Sequence, residues 1–192
     1  MDLNQYVKDA VRTESQIEKV TITSETFVAA LQIFILSGQI LDMFKKNIFY
    51  EKPIDWECVE SKLGKIEMDS GAGHSDTHPE VHLEINPRMF HALIGTATEA
   101  TELMEALLAT IEGERLDIFN VLEEFGDINW YEAIAIDASN GEIEAFGFED
   151  VLSTNIEKLR KRFPEKFTSE KAIERDLDVE RNTVQAGLTK VS

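Results

Sequence analysis

Apolar and polar positions along this chain recur with the period of helices almost from end to end. Asn4 to Val20 carries a weak amphipathic pattern. Ser24, Thr26 and Phe27 resemble a capped start to a long apolar helix that runs to about Phe49. Pro53-Ile54-Asp55 restarts a shorter helix through Cys58 and Leu63. Asn86-Pro87 combines a capping side chain with a proline suited to the first helical position, and predicts a helix to about Glu112. A second helix is expected from about Asp117 to Ser139, where Asn140-Gly141 ends it. Two more are expected over Phe148 to Arg162 and from Ser169 to about Val184. Only Val81 to Ile85 alternates as a strand would. The pattern predicts an all-α protein.

Between these helices the segment DSGAGHSDTHP, Asp69 to Pro79, is rich in glycine and short polar residues and is the strongest linker candidate. It suggests a helical amino-terminal part (1–68), a linker (69–86), a second helical part (87–185) and a fraying tail (186–192). The two parts also align with each other. Phe27 falls on Phe90, Ile40 on Leu103 and Asp42 on Glu105, while Leu63-Gly64-Lys65-Ile66 falls on Phe125-Gly126-Asp127-Ile128. A degenerate internal repeat and the shared spacing of two unrelated amphipathic helices both account for this.

Charge narrows the functional classes. With 37 Asp and Glu against 19 Lys and Arg, the net charge is -18, which argues against non-specific nucleic-acid binding. The single cysteine, Cys58, excludes an intrachain disulfide and suits a reducing compartment. The start of the chain has no basic and then apolar segment of the secretory kind. The longest apolar stretch, Phe27 to Leu36, is about half of the roughly 20 residues needed to span a membrane. A cytoplasmic protein with no membrane partner is expected.

The chemistry is expected on the central helices. Glu99 and Glu102 are three residues apart, as are Glu124 and Asp127, so each pair shares a helix face. If the helices pack antiparallel, four carboxylates converge, and such a group calls for cations to offset its repulsion. Hard oxygen ligands select Mg²⁺, with Mn²⁺ as the alternative, and magnesium's remaining positions accept phosphate oxygens. The same spacing is compatible with solvated acidic faces or surface ion pairs. Leu103, Leu107, Val121, Phe125 and Ile128, expected in the core, favour the metal cluster. No P-loop, Gly-x-Ser-x-Gly element or Cys–His nucleophile pair occurs. His74, His78 and His82 lie in a glycine- and proline-rich stretch without enough further ligands for zinc.

The arrangement EATELMEAL followed by LEEFGDINWYEAIA resembles the E-x-x-E and E-x-x-D signature of the all-α NTP pyrophosphohydrolase superfamily, which includes MazG, phosphoribosyl-ATP pyrophosphohydrolase and the dimeric dUTPases. NIEKLRKRFPEKF and AIERDLDVER are similar to the carboxy-terminal part of small MazG-like proteins, and MFKKNIFYEKPIDWECVESKLG to the region around their first motif. The resemblance implies a four-helix core, a homodimer, and hydrolysis of a nucleoside triphosphate to monophosphate and pyrophosphate. It places the metal ligands at Glu99, Glu102, Glu124 and Asp127. Glu102, Glu105 and Glu123 are candidates for the general base. It also turns Asn155, Lys158 and Arg162 towards the substrate phosphates, where pairing with neighbouring glutamates is the alternative. Trp130 and Tyr131, one turn beyond Asp127, are candidates to stack on a base or to belong to the core.

The chain departs from the family in its first half. Leu36, Gln39, Lys62 and Lys65 stand at the four positions that align with the acids. Leu108-Ala109 stand where small relatives carry two lysines, and Lys45-Lys46 occur in the first half instead. They are candidate phosphate contacts or cations at a helix end. A catalytically inactive relative that binds nucleotide or protein through its acidic surface is the rival function.

Overall fold

The computed structural model describes residues 2–15, 17–71, 80–140 and 146–189. The linker centre with His74 and His78, and Gly141 of the Asn140-Gly141 stop, lie outside them. Eight helices and one two-stranded sheet are formed among the described residues, so the all-α expectation is met at the level of class. The order is α1 (Leu3–Val11), β1 (Val20–Thr23), α2 (Ser24–Tyr50), α3 (Trp56–Gly71), β2 (Glu80–Leu83), α4 (Pro87–Ile111), α5 (Ile118–Ser139), α6 (Phe148–Arg162), α7 (Ser169–Ile173) and α8 (Leu177–Leu188).

Local chemistry explains most boundaries. Asn86 Oδ1 accepts from the Arg88 and Met89 amides at the head of α4, with Pro87 at a position whose missing N–H costs nothing. Asp117 does the same for Phe119 and Asn120 at the head of α5. Two expectations need correction. The amphipathic stretch to Val20 ends as helix at Val11, and Val20–Thr23 forms β1 beside β2. The helix expected from Ser169 breaks after α7, where Asp176 takes a fresh capping bond from the Val179 amide.

The chain divides into two compact units that interleave in sequence. The first comprises Met1–Val20, Glu84–Lys158 and Arg181–Ser192. Within it, both α4 and α1 pack on α5. Val7, Ala10, Ala133, Ile136, Phe146 and Phe148 form its buried core, edged by Tyr6, Trp130, Val151 and Leu188. Arg88 fastens α4 through both carboxylate oxygens of Glu14, whose side chain is only 1% exposed, and through Asp137 of α5.

The second unit comprises Thr21–Leu83 and Leu159–Glu180. In it α2 packs on α3 and α7. Val59 and Ala172 are its buried apolar residues among those described, and Phe44–Trp56, Tyr50–Phe167 and Phe163–Phe167 ring contacts supplement them. The apolar composition of α2 suits a core helix. Instead no residue of Thr26–Tyr50 is buried, and Val28, Phe34, Ile35, Leu41, Ile48 and Phe49 are exposed. Its 25-residue length and composition are sufficient to cross a membrane. Against that use, Lys62 of α3 donates to Gln39 halfway along α2, and Asp42 pairs with Lys45 and Lys46 at 2.5 Å each.

Candidate metal centre

The α4–α5 hairpin turns at Gly113, whose φ of +107° places it where side chains are strained. The two helices then run past each other in antiparallel register, and three successive rungs of that pairing build the site. Nearest the turn, Glu102 faces Glu124, the charge that acts on it most strongly. One step further, Glu99 and Asp127 join Glu124, and one carboxylate oxygen from each of the three lies within 4.8 Å of the others. On the third rung the Tyr131 ring lies against the backbone at Gly95.

Burial differs sharply across this group. Glu124 is only 5% exposed, Glu99 is half-buried, and Asp127 and Glu102 are exposed. Loss of water raises the Glu124 pKa above the usual glutamate value. A hydrogen bond shared with Glu99 adds to this, as do the charges of Glu99, Asp127 and Glu123. Glu102 is raised chiefly by Glu124, then by desolvation and by Glu105, Asp127 and Glu123. Buried like charges of this kind are relieved either by protons or by a bound cation, and the all-oxygen donor set fits Mg²⁺ or Mn²⁺. The residues therefore suit the ion that the spacing suggested: Glu99, Glu124 and Asp127 offer ligands directly, with Glu102 one turn along α4.

The other anticipated residues have varied surroundings. Glu105 and Glu123 are exposed and belong to the charged surroundings of Glu102. Leu107 and Phe125, expected in the core around the acids, are about half exposed. Trp130 is a tie between elements: its Nε1 donates to the Ala10 carbonyl at 3.1 Å and to Thr13 Oγ1 at 2.9 Å. Tyr131 packs edge-on against Trp130 and His91.

On α6, Asn155 is exposed and Lys158 half-buried. Arg162 forms a forked pair with Glu180, Nε to Oε1 at 2.7 Å and a terminal nitrogen to Oε2 at 2.6 Å. Its partner is thus neither of the neighbouring glutamates, Glu157 and Glu165, that sequence proximity offered. Arg175 holds the same carboxylate, and the two guanidinium groups lower the Glu180 pKa to about 2. A guanidinium committed to a buried carboxylate is not available to a phosphate without breaking that pair. Lys45 and Lys46 are paired with Asp42.

Two residues near the acids escaped the sequence reading. Gly95 carried a legible signal, because a glycine inside a helix costs about 1 kcal/mol and usually marks close packing. Tyr6 carried none: its hydroxyl reaches the Gly126 carbonyl at 3.5 Å and lies in the field of Asp127 and Glu132 only because α1 folds onto α5. No protein-family model matches the chain, and no curated protein or solved structure does so either.

Proposed function

We propose that this chain is a divalent-metal-dependent nucleotide pyrophosphohydrolase that converts a nucleoside triphosphate to its monophosphate and pyrophosphate. One observation carries the reading: carboxylates from two helices meet within 4.8 Å around a glutamate that is almost fully buried. A surface acidic face has no reason to bury one of its charges among the others. When bound, Mg²⁺ or Mn²⁺ supplies charge neutralisation between these acids and the oxygens of a polyphosphate. Glu99, Glu124 and Asp127 hold the ion, with Glu102 beside them. Glu102, exposed to solvent and facing Glu124, is the candidate proton acceptor for an attacking water. Glu105 and Glu123, both exposed, are the other candidates for that role.

The chemistry of the acids agrees with the resemblance to the MazG-like all-α pyrophosphohydrolases. A degenerate repeat and a homodimer belong to the same proposal. The α2–α3 hairpin turns through Glu51, at a φ of 58°, and α3 starts on an Asp55 cap. The α4–α5 hairpin turns through Gly113 and starts α5 on Asp117, which supports one being a worn copy of the other. Exposed Met104, Leu107, Leu108 and Ile111 on α4 and Phe119 and Leu122 on α5 form apolar surface of the kind a second copy covers. A cytoplasmic location fits the lone cysteine. The test is a screen of all NTPs and dNTPs with Mg²⁺ or Mn²⁺, reading pyrophosphate release. Release that depends on the metal and disappears in Glu124→Gln supports the assignment. No release from any nucleotide with either ion removes it.

A further inference from the structure

Between two of the proposed ligands, Glu124 and Asp127, α5 carries a glycine, Gly126. A glycine inside a helix lowers its stability and leaves the backbone freer to bend. Packing gives no reason for it. A Cβ at Gly126 would meet nothing within 4 Å, whereas one at Gly95 would run into the Tyr131 ring. Glu124 is buried and held by its surroundings, but Asp127 is exposed, so its carboxylate stands where the backbone of this soft turn puts it. Ties from α1 and the turn after it hold that stretch at both ends. One residue before Asp127, the Gly126 carbonyl accepts from the Tyr6 hydroxyl at 3.5 Å. Three residues after it, Trp130 Nε1 donates to the Ala10 carbonyl at 3.1 Å and to Thr13 Oγ1 at 2.9 Å. The Phe125 carbonyl accepts from Asn129 Nδ2 at 2.5 Å, so two successive carbonyls ahead of Asp127 each take a side-chain donor. Tyr6 is itself fixed, with its ring edge-on to Phe148 at 6.4 Å and packed against the core that holds Val7 and Ala10.

We propose that α1 braces the acidic turn of α5, with Tyr6 as a positioning residue whose hydroxyl holds the backbone at Gly126 and so sets Asp127 against Glu99 and Glu124. This rests on the reading of these acids as a metal site. Ligands serve an ion only when held within about 0.5 Å of its geometry. A bend at Gly126 moves Asp127 relative to Glu124, which precedes the glycine, and to Glu99, which stands on α4. Tyr6 needs to touch neither ion nor substrate to act in this way. It acts through the backbone.

The test uses the full chain and two measurements, Mn²⁺ uptake by electron paramagnetic resonance and the Tm of the metal-free protein. Tyr6→Phe keeps the ring against Phe148 and removes only the donor. It is expected to raise the Kd for Mn²⁺ about fivefold, equivalent to about 1 kcal/mol, and to alter the spectrum of the bound ion at saturation. Gly126→Ala stiffens the turn without a clash, so the double variant Tyr6→Phe/Gly126→Ala is expected to regain most of the lost affinity. A tyrosine that served stability alone would behave differently. Its loss would lower Tm with the Mn²⁺ Kd unmoved, and Gly126→Ala would raise Tm in either background without touching the ion. A wild-type Kd in Tyr6→Phe, or no recovery in the double variant, overturns the brace while the metal site stands on the wild type's own uptake. A wild-type chain that takes up no Mn²⁺ overturns the metal reading and this inference with it.

Discussion

The two helical hairpins of this protein have similar outlines and opposite interiors. Each first helix ends at a residue with positive φ, Glu51 in α2–α3 and Gly113 in α4–α5, and each second helix starts on an aspartate, Asp55 or Asp117. At the positions that align, α4–α5 sets Glu102 against Glu124, whereas α2–α3 sets Gln39 against Lys62 and joins them by a hydrogen bond. The second arrangement satisfies itself. The first does not: apart from the Thr98 hydroxyl on Glu99, its carboxylates face one another. Crowded like charge of this kind, in contrast to the pairing of Arg88 with Glu14 and Arg162 with Glu180, is the reason the metal site is proposed on this hairpin.

The strongest challenge to this contrast is Glu124→Gln. Turnover of whichever nucleotide the wild type hydrolyses is expected to vanish in the variant, with its far-ultraviolet circular dichroism unchanged. Retained turnover would mean that the buried glutamate is structural.

Next in size is Glu180→Ala in the second unit, which leaves two arginines without their carboxylate. Removing one partner of a buried pair costs about 3 to 5 kcal/mol, read as a lowered urea midpoint. The pH dependence has a definite sign. The folded pKa of Glu180, about 2, lies below the ordinary 4.5, so its contribution is complete above pH 4.5 and is lost as the pH falls towards 2. The variant should lack this part of the acid destabilisation. An unchanged acid limb would show that the pair does not hold the unit together.

The carboxylate cluster should behave in the opposite sense, with a smaller effect. Glu102 and Glu124 have folded pKa values raised above 4.5, so in metal-free protein their contribution is present below pH 4.5 and declines as the pH rises through those values. Between pH 4 and 8 the Tm of Glu124→Gln should therefore improve relative to the wild type. Mn²⁺ at about a hundred times its Kd should stabilise the wild type by about 2.7 kcal/mol and the variant by much less. Equal Mn²⁺ responses in both would count against Glu124 as a ligand.

The subtlest test rebuilds acids in the other hairpin. If the hairpins correspond, Leu36→Glu/Gln39→Glu/Lys62→Glu/Lys65→Asp should add a weak second equivalent of Mn²⁺ by calorimetry. A single equivalent, in a variant that keeps its helicity, would separate the two hairpins structurally.

Local patterns along the chain determined a good deal. Asn86-Pro87 and Asp117 start α4 and α5 because a capping side chain satisfies amides within three residues of itself. Phe148 to Arg162 is one helix because its periodicity is unbroken. The three-residue spacing of Glu99/Glu102 and Glu124/Asp127 already put each pair on one face, since that relation belongs to helix geometry alone. Tertiary structure decided what these faces meet. It buried Glu124 while leaving Asp127 exposed, drew Arg162 to Glu180, and used Trp130 to hold α1. It also left α2 at the surface despite a composition suited to a core, and turned Val20–Thr23 into a strand beside β2. Caps and periodicity act over a few residues and are visible in any short window. Burial, charge pairing and strand pairing depend on partners tens of residues away, such as Ala10 and Trp130 or Gly95 and Tyr131, and nothing in either local sequence names the other.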